Sequence, residues 1–241
     1  MTRNFRDKHK QRQKTPKIKA KSLATKLAIL FQAETSSPRR MHSAYHAEFS
    51  LFSPTGARKY LNNVERKRFH NVIANLNTRQ RLFCAILFWS GGRVSEVLAL
   101  VPAAIDLDTG NVAILTLKRR KHAIVRQVPL PRAVIRDLSR EFCLREAQHD
   151  PEKATRRMWP WSRTTAWRLI KKVMFDADVA GASASPKGLR HTFGVNAFQG
   201  NVPPHLVQRW LGHASLRTTT IYGDVSGREE RQFASRMWRK S

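Results

Sequence analysis

The sequence predicts a mainly α-helical domain that carries one small β-hairpin, so its fold class is α+β. Apolar residues recur at helical spacing in most segments between residues 56 and 230. The exception is the segment 112–130, in which two runs rich in β-branched residues flank a basic turn. Asn, Ser and Pro precede the helical segments, and Gly follows several of them, as helix caps require.

The first strongly marked helix follows Asn62, which can form a capping box with the glutamate three residues later. The next segment, 81–89, is apolar nearly all round and therefore predicts a helix within the core. The two glycines of the sequence SGGR end that helix and permit a tight turn. Arg93 stands in this turn, and helical spacing resumes directly after it.

Two further helices are predicted after the hairpin, one starting at Pro131 and one after Ser162. Their predicted inward faces are Val134, Leu138 and Phe142 in the first, and Trp167, Ile170 and Met174 in the second.

Three helices are predicted in the last third of the domain, and Pro, Ser and Gly mark where they begin and end. Arg190 lies near the start of the first, His213 follows the end of the second, and Tyr222 lies close to the end of the third. Side chains at helix ends can point into a shared cleft instead of a core. We therefore expect these three residues to meet in one cleft.

The charge of the chain predicts a polyanionic partner. The 241 residues include 45 Lys and Arg but 17 Asp and Glu, which gives a net charge of +28 and a pI near 11.5. Such an excess is typical of proteins that bind nucleic acid. A hydrophobic content of 41% is enough for a packed core. An RNA-binding or ribosome-associated protein would also explain the charge.

The sequence divides into three predicted parts. Residues 1–55 form a basic N-terminal extension, partly disordered, with a short helix at 20–33. The first part of this extension either lies along phosphates as an arm or is simply disordered. Residues 56–230 form the main domain. Residues 231–241 form a tail whose apolar stripe (Phe233, Met237 and Trp238) docks on a neighbouring protomer or on its own domain.

The cysteines and the hydropathy predict a cytoplasmic protein. Cys84 lies in an apolar run and Cys143 on a helix face, which predicts two buried thiols in a reducing compartment and no disulfide. The sequence has no signal-peptide apolar region and no apolar run of about 20 residues, the length that spans a bilayer. We expect the protein in the prokaryotic cytoplasm or nucleoid.

Four short motifs follow one another in a diagnostic order: R-x-S-E from Arg93, L-R-H-x-F-G around Arg190, L-G-H-A-S around His213, and I-Y at Tyr222. The spacings are 23 residues from Arg190 to His213 and 9 residues from His213 to Tyr222. With the basic hairpin between the first two motifs, residues 56–230 resemble the catalytic domain of tyrosine recombinases, the phage integrase family. The resemblance implies the mainly helical fold of that domain.

The resemblance also implies a role for each matching residue. Arg93 and Arg190 would clamp the scissile phosphate, His213 would be the histidine of the second box, and Tyr222 would be the nucleophile. A lysine of the hairpin would protonate the leaving oxygen. Lys121 is at the usual position for that lysine, and Lys118 is the alternative.

The remaining site residues have supporting roles or depart from the family. Glu96 would support an arginine of the site, and His191, next to Arg190, would be a structural or supporting residue rather than a substitute base. The basic hairpin residues expected to contact DNA are Lys118, Arg119, Arg120 and Arg126. Lys187 stands where the family's H-x-x-R box has histidine. Histidine can exchange a proton near neutral pH, whereas lysine is a cation that would only donate to the phosphate. We expect this substitution to be compatible with activity.

The chemistry of these residue types agrees with the implied roles. A phosphodiester under attack gains negative charge on its oxygens, and planar guanidinium groups offer paired donors that match this geometry. A phenol with a pKa of about 10 is protonated at neutral pH and must lose its proton to attack. The departing 5′ oxygen needs a proton as its bond breaks.

The resemblance implies a site-specific recombinase that acts through a 3′-phosphotyrosine in integration, excision, inversion or resolution of DNA, for example on a mobile element. Its implied partners are double-stranded DNA with a recombination site, further protomers in a synaptic tetramer, and accessory DNA-bending proteins. The histidines show no metal-ligand spacing and the sequence has no Gly-rich phosphate loop, so we expect no metal, nucleotide or other cofactor. The alternatives are a type IB topoisomerase and a DNA-binding protein of this fold with altered catalysis, for which Lys187 is the support. With about 55 residues before the domain, the chain resembles short recombinases that largely lack the core-binding domain, such as the fimbrial invertases.

Overall fold

The computed structural model describes residues 50–116 and 124–223, together with Arg231, Ala234, Ser235 and Trp238 of the tail. Several predictions therefore lie outside the described residues. They are the short helix at 20–33, the hairpin residues Lys118, Arg119, Arg120 and Lys121, and two residues of the apolar stripe of the tail, Phe233 and Met237. The third residue of that stripe, Trp238, is exposed.

The described elements are helices around one two-stranded antiparallel sheet. The helices are α1 (Asn63–Ala74), α2 (Thr78–Ser90), α3 (Val94–Leu98), α4 (Arg132–Glu141), α5 (Leu144–His149), α6 (Pro151–Thr155), α7 (Arg163–Asp176), α8 (Pro186–Gln199), α9 (Pro204–Leu211) and α10 (Arg217–Thr220). The strands are β1 (Asn111–Thr116) and β2 (Ile124–Pro129), and short 3₁₀ turns lie at Pro102–Ala104, Gly181–Ser183 and Ile221–Gly223. The predicted fold class is confirmed.

The start of α1 confirms the predicted capping box. The Asn62 side chain accepts a hydrogen bond from the Glu65 amide at 2.8 Å, and the Glu65 carboxylate accepts one from the Asn62 amide at 2.7 Å. These bonds satisfy two donors that a helix N-terminus otherwise leaves unpaired. Such a cap stabilises a protein by about 1 kcal/mol.

Helix α2 is the central helix of the core, as its apolar composition predicts. All seven residues from Leu82 to Phe88 are buried. The helix ends at Gly91, which has the left-handed φ of +60°. A Cβ atom at Gly91 would lie 2.6 Å from the Phe193 ring, so both the backbone angle and the close packing require glycine. This turn fixes where Arg93 leaves the core.

The predicted hairpin is present, and its inner face closes the core. Val112 pairs with Val128, and Ile114 pairs with Arg126. Val112, Ile114 and Val128 are buried, whereas Leu115 and Val125 on the other face are exposed. This alternation is expected for a strand pair with one face on the core.

Helix α7 differs from the prediction in one residue. Ile170 and Met174 are buried as predicted, but Trp167 is 49% exposed. The buried face of α7 is Ala166, Ile170, Val173 and Met174. The sequence offers alanine and tryptophan at adjacent positions, and the smaller residue takes the core position. The Trp167 ring instead lies near the Lys171 ammonium, 6.0 Å from the ring centre, where a cation and an aromatic face attract each other.

The last helices follow the predicted order. Helix α8 starts at Pro186 and its cap residue is Gly200, and α9 ends at Gly212, whose φ of +65° is left-handed. The third helix is one turn, α10, followed by the 3₁₀ turn that carries Tyr222. The Ser215 hydroxyl accepts a hydrogen bond from the Arg217 amide at 3.2 Å, although the cap residue is Leu216.

The prediction for the cysteines is half right. Cys84 is buried, but Cys143 is exposed, because it lies in the left-handed turn between α4 and α5, at a φ of 46°, and not on a helix face. Within the described ranges, no helix has the length and apolar character needed to cross a membrane.

Candidate active site

Arg93 is held by Glu96 through both its backbone amide and its guanidinium, and its side chain is partly exposed. It is the residue before α3, and its amide donates to a Glu96 carboxylate oxygen at 2.9 Å. Its guanidinium donates to the other Glu96 oxygen at 2.7 Å. The Arg93 side chain is 36% exposed. One guanidinium nitrogen is therefore held by Glu96, while the side chain as a whole stays partly accessible.

Glu96 is the buried anchor beneath the site. Its carboxylate also accepts a hydrogen bond from the Arg126 guanidinium at 2.6 Å, and both side chains are almost fully buried. Burial on its own raises the pKa of Glu96, but the hydrogen bond and charge of Arg126 and the bonds from Arg93 outweigh it and lower the pKa. Glu96 is thus an ionised carboxylate that supports Arg93, which fits its predicted role.

The structure corrects the prediction that Arg126 contacts DNA. Besides Glu96, its guanidinium donates to the Thr116 hydroxyl at 3.0 Å and to the Trp210 carbonyl at 2.7 Å. All three nitrogens are used inside the protein, and the side chain is 2% exposed. Its position on the inner face of β2, opposite Ile114, turns it away from solvent. Arg126 therefore ties the hairpin to α3 and α9.

Arg190 lies in the second turn of α8 and reaches the ends of two other helices. Its guanidinium donates to the Gly91 carbonyl at 2.7 Å and to the Leu211 carbonyl. Burial, followed by the charge of Arg93, lowers the pKa of Arg190 to about 10, so it remains a cation at neutral pH. These two bonds fix the guanidinium in the same region as Arg93.

His213 is a neutral imidazole beside the predicted nucleophile. Its Nδ1 is 2.9 Å from the hydroxyl of Thr219, which is buried. Its ring is nearly parallel to the Tyr222 ring, with centroids 6.2 Å apart and 13° between the planes. Burial, then the charges of Arg190 and Arg93, lower the pKa of His213 to about 3.

Tyr222 is buried, which differs from the open cleft that its place at a helix end predicted. It is 1% exposed, and its ring lies directly against α8. A Cβ atom at Gly194 would be 2.6 Å from three Tyr222 ring atoms, so only glycine leaves room for the ring. Burial raises the pKa of Tyr222 to about 12, against the opposing effect of Arg190 and Arg93. The phenol is therefore protonated at neutral pH.

His191 lies within hydrogen-bond distance of the Tyr222 hydroxyl, which its predicted supporting role did not require. Its Nδ1 lies 3.3 Å from the Tyr222 hydroxyl oxygen. Burial, followed by the charges of Lys187, Arg190 and Lys59, lowers the pKa of His191 to about 3. Lys187 is exposed one helical turn earlier on α8.

The structure thus brings together Arg93, Glu96, Arg190, His191, His213 and Tyr222. Thr219 and Gly194 also belong to the site, although the sequence analysis did not single them out. Glycine inside a helix costs about 1 kcal/mol relative to alanine, so Gly194 in the middle of α8 was a detectable sign of a close contact. Thr219 carried no comparable signal, because it stands in a run of three threonines.

A family model described as "Phage integrase family" matches residues 59–229 of this chain. The chain belongs to the phage integrase family. The matched range contains every residue of the site described above.

Two recombinases of this family are similar in sequence to the chain. The Tyrosine recombinase XerA of Thermococcus kodakarensis is 31% identical over 176 residues, which cover 72% of this chain and 60% of that protein. The Tyrosine recombinase XerD of Ralstonia nicotianae is 34% identical over 163 residues, covering 65% of this chain and 51% of that protein. The chain therefore spans about 60% or less of the length of these relatives.

Solved structures have the same fold. The crystal structure of XerA recombinase superposes with a TM-score of 0.62 at 24% identity, covering 74% of this chain and 64% of that one. The XerH site-specific recombinase bound to its difH substrate superposes with a TM-score of 0.58 at 25% identity, covering 75% of this chain and 54% of that one. The described domain has the fold of a tyrosine recombinase catalytic domain.

In this member of the integrase family, the site combines fixed cations with neutral proton carriers. One guanidinium is held by Glu96 and the other by carbonyls at the ends of α2 and α9, and both can bind an anion with paired donors. Two neutral imidazoles and a protonated phenol lie next to them. This arrangement suits attack by the phenol oxygen on a bound phosphodiester.

Proposed function

We propose that this chain is a site-specific DNA recombinase that cleaves and rejoins DNA strands through a 3′-phosphotyrosine at Tyr222. The observation that carries the proposal is that Arg93 and Arg190 lie close enough to Tyr222 for their charges to act on its pKa. Arg93 is held by Glu96 and Arg190 by two backbone carbonyls. Family membership adds support, since the matched range includes all of these residues.

The two arginines would bind the scissile phosphate and stabilise the charge that develops on it. The Arg93 side chain is partly exposed and uses one guanidinium nitrogen on Glu96, so its other donors would bind a phosphate without loss of that bond. Because the donors are fixed before the phosphate arrives, they need little rearrangement as the phosphorus becomes pentacoordinate. Removal of one such donor typically costs 100-fold to 1,000-fold in rate.

Tyr222 would attack the phosphorus, and the 5′ oxygen would leave. Because burial holds the phenol protonated, its proton must be removed as the new bond forms. The 5′ oxygen must gain a proton, which we assign to Lys121, with Lys118 as the alternative. The 5′ hydroxyl of a partner strand can then attack the phosphotyrosine. The energy of the broken bond stays in that linkage, so rejoining needs no ATP.

Double-stranded DNA with a specific recombination site is the proposed substrate. The net charge of +28 provides a large electrostatic contribution to DNA binding. The XerH recombinase in the superposed structure is bound to its difH substrate. We further propose that strand exchange takes place in a tetramer, with accessory DNA-bending proteins at some sites, in the prokaryotic cytoplasm or nucleoid where such DNA is found.

The division of the chain also remains a proposal, with residues 56–230 as the catalytic domain. In the basic extension 1–55, residues 1–20 would contact DNA phosphates. Deletion of residues 1–20 is then expected to weaken DNA binding and to flatten its salt dependence. Binding that is unchanged at several salt concentrations would contradict this role.

The test of the proposed function is covalent trapping. The protein is incubated with duplex DNA that carries a nick next to a candidate cleavage site, so that the released fragment diffuses away. A denaturing gel should show a covalent adduct that Tyr222→Phe abolishes and Arg190→Ala reduces at least 100-fold. No adduct on a site that the protein binds specifically would contradict the proposal.

Lys187 favours a second candidate, a DNA-binding protein of this fold with altered catalysis. This lysine replaces the histidine of the family's H-x-x-R box, and its ammonium can donate hydrogen bonds but not accept a proton. Specific binding without an adduct is the result expected from that protein. Relaxation of a supercoiled plasmid that lacks a specific site would instead indicate topoisomerase activity.

A further inference from the structure

We propose that His191 is the proton acceptor for Tyr222: its Nδ1 takes the phenol proton as the Tyr222 oxygen attacks the phosphate. In this way, His191 would perform the proton transfer that Lys187 cannot perform. The inference rests on the proposed function, and it assigns a catalytic role to a residue that the sequence indicated only as a supporting one.

The contact between the two side chains joins the phenol to a ring nitrogen that can accept its proton. The Tyr222 hydroxyl oxygen lies 3.3 Å from His191 Nδ1. Catalytic hydrogen bonds are often this long without substrate and shorten when the reacting groups are bound. If Nδ1 accepts the phenol proton, Nε2 carries the other ring hydrogen. Among the described residues, the buried Nε2 has no hydrogen-bond partner, so no contact at Nε2 selects either tautomer.

The other candidates in the site are less suited to this transfer. His213 uses its Nδ1 on the Thr219 hydroxyl. Lys187 is exposed, and an ammonium has no free electron pair to accept a proton. Arg190 donates to two backbone carbonyls and is a cation at neutral pH. Of these four residues, only His191 makes a hydrogen bond to the Tyr222 hydroxyl in the structure.

The charges around His191 make its basicity depend on DNA. Lys187, Arg190 and Lys59 all lower its pKa, after the larger effect of burial, so the imidazole is neutral and has a free electron pair, but it is a weak base in the absence of a phosphate. A bound phosphodiester would place a negative charge among these cations. That charge would offset their repulsion of an imidazolium and raise the basicity of His191 when the phosphate is present.

The proposed step balances in both directions. As the bond from the Tyr222 oxygen to phosphorus forms, the phenol proton moves to His191 Nδ1. The bond from phosphorus to the 5′ oxygen breaks, and that oxygen takes a proton from the hairpin lysine. In rejoining, a 5′ hydroxyl attacks the phosphotyrosine, the lysine recovers its proton, and the His191 imidazolium returns the proton to the departing Tyr222 oxygen.

The first test is His191→Asn, measured as the single-turnover rate of adduct formation on nicked DNA. The asparagine amide oxygen can accept the Tyr222 hydrogen bond but cannot take its proton. We expect a rate 100-fold to 10,000-fold below that of the wild type, the usual contribution of general base catalysis. His205→Asn, on the exposed side of α9, is the matched control and should keep the wild-type rate.

The second readout is the pH dependence, which a purely structural role would not change. Without a base, attack requires phenolate formed in advance from a group whose pKa is about 12. The rate of His191→Asn should therefore rise about tenfold per pH unit between pH 7 and pH 9, while the wild-type rate changes little. A fluorinated tyrosine of lower pKa at position 222 should restore the rate of His191→Asn at least tenfold.

The third readout places a histidine at position 187 in the variant that lacks the histidine at position 191. Lys187→His in the His191→Asn background returns a proton acceptor to the usual position of the family, and the double variant should be at least tenfold faster than His191→Asn alone. If His191→Asn cleaves at the wild-type rate, the inference is wrong. It is also wrong if that variant is slow but shows the pH dependence of the wild type and no rescue. Absence of an adduct with the wild type would contradict the proposed function instead.

Discussion

The contact between Gly194 and Tyr222 makes Gly194→Ala the most informative substitution outside the reacting groups. A Cβ atom at position 194 would lie 2.6 Å from three atoms of the Tyr222 ring, whereas ordinary contacts begin at 3.4 Å. The ring must therefore shift by about 0.8 Å. A displacement of about 1 Å in a reacting group can cost 100-fold in rate. We expect Gly194→Ala to lower the rate of adduct formation about 100-fold.

The free energy of unfolding of Gly194→Ala should change only modestly, because two effects oppose each other. Alanine is favoured over glycine inside a helix by about 1 kcal/mol, whereas overpacking a core costs about 1 to 3 kcal/mol. The free energy of unfolding in urea should thus fall by about 0 to 2 kcal/mol. Gly200→Ala is the control, because its Cβ atom would lie 3.3 Å from the Asn196 carbonyl oxygen, only 0.1 Å inside the ordinary contact distance, and its φ is −78°. A wild-type rate for Gly194→Ala would refute the packing that we describe for the nucleophile.

Three further predictions concern the supports of the site and its pH dependence. Arg126→Met leaves the buried Glu96 carboxylate without its shortest hydrogen bond. The free energy of unfolding in urea should fall by about 3 to 5 kcal/mol. A fall below 1 kcal/mol would contradict the role of Glu96 as a buried anchor of the site. Thr219→Val removes the hydrogen bond to His213 Nδ1. It should slow adduct formation about tenfold, as expected for the loss of one hydrogen bond of about 1.5 kcal/mol. An unchanged rate would show that this bond does not orient the imidazole. Burial lowers the pKa values of His191 and His213 to about 3, so the unfolded chain binds protons below pH 6.5 that the folded chain does not. The free energy of unfolding should therefore fall as the pH drops from 6.5 to 5, by about 1 to 2 kcal/mol for each histidine. Equal free energies of unfolding at the two pH values would show that these imidazoles are not held neutral by burial.

Local signals in the sequence predicted the elements that local physics determines. Asn62 with its glutamate predicted the start of α1, because the capping box involves residues of one turn only. Gly91 and Gly212 predicted the ends of α2 and α9, because both occupy left-handed backbone angles that disfavour other residues. The hairpin was likewise predictable from its two β-rich runs and the turn between them.

Features that depend on packing between distant segments were not predictable from the residues alone. Arg126 is basic and stands in a basic hairpin, so the sequence indicated DNA contact. Its burial depends on Glu96 and Trp210, which lie 30 and 84 residues away. The orientation of Trp167 depends on which face of α7 meets the core, and two adjacent apolar residues left that choice open.

The candidate site shows the same division between local and tertiary information. The motifs indicated Arg93, Arg190, His213 and Tyr222 because their spacing is characteristic of the family. The hydrogen bond between Tyr222 and His191 arises because the 3₁₀ turn packs on α8 at Gly194. Local patterns do not reveal that contact, because it joins two residues that are 31 positions apart in the sequence.

The central claim is that Tyr222 becomes joined to DNA through a 3′-phosphate. The most direct measurement is mass spectrometry of the trapped adduct after digestion of the protein and the DNA. The sequence contains three tyrosines, Tyr45, Tyr60 and Tyr222, so the attachment site can be assigned to one peptide. We predict a 3′-linked nucleotide on Tyr222 alone, and attachment to another residue or through a 5′-phosphate would contradict the account.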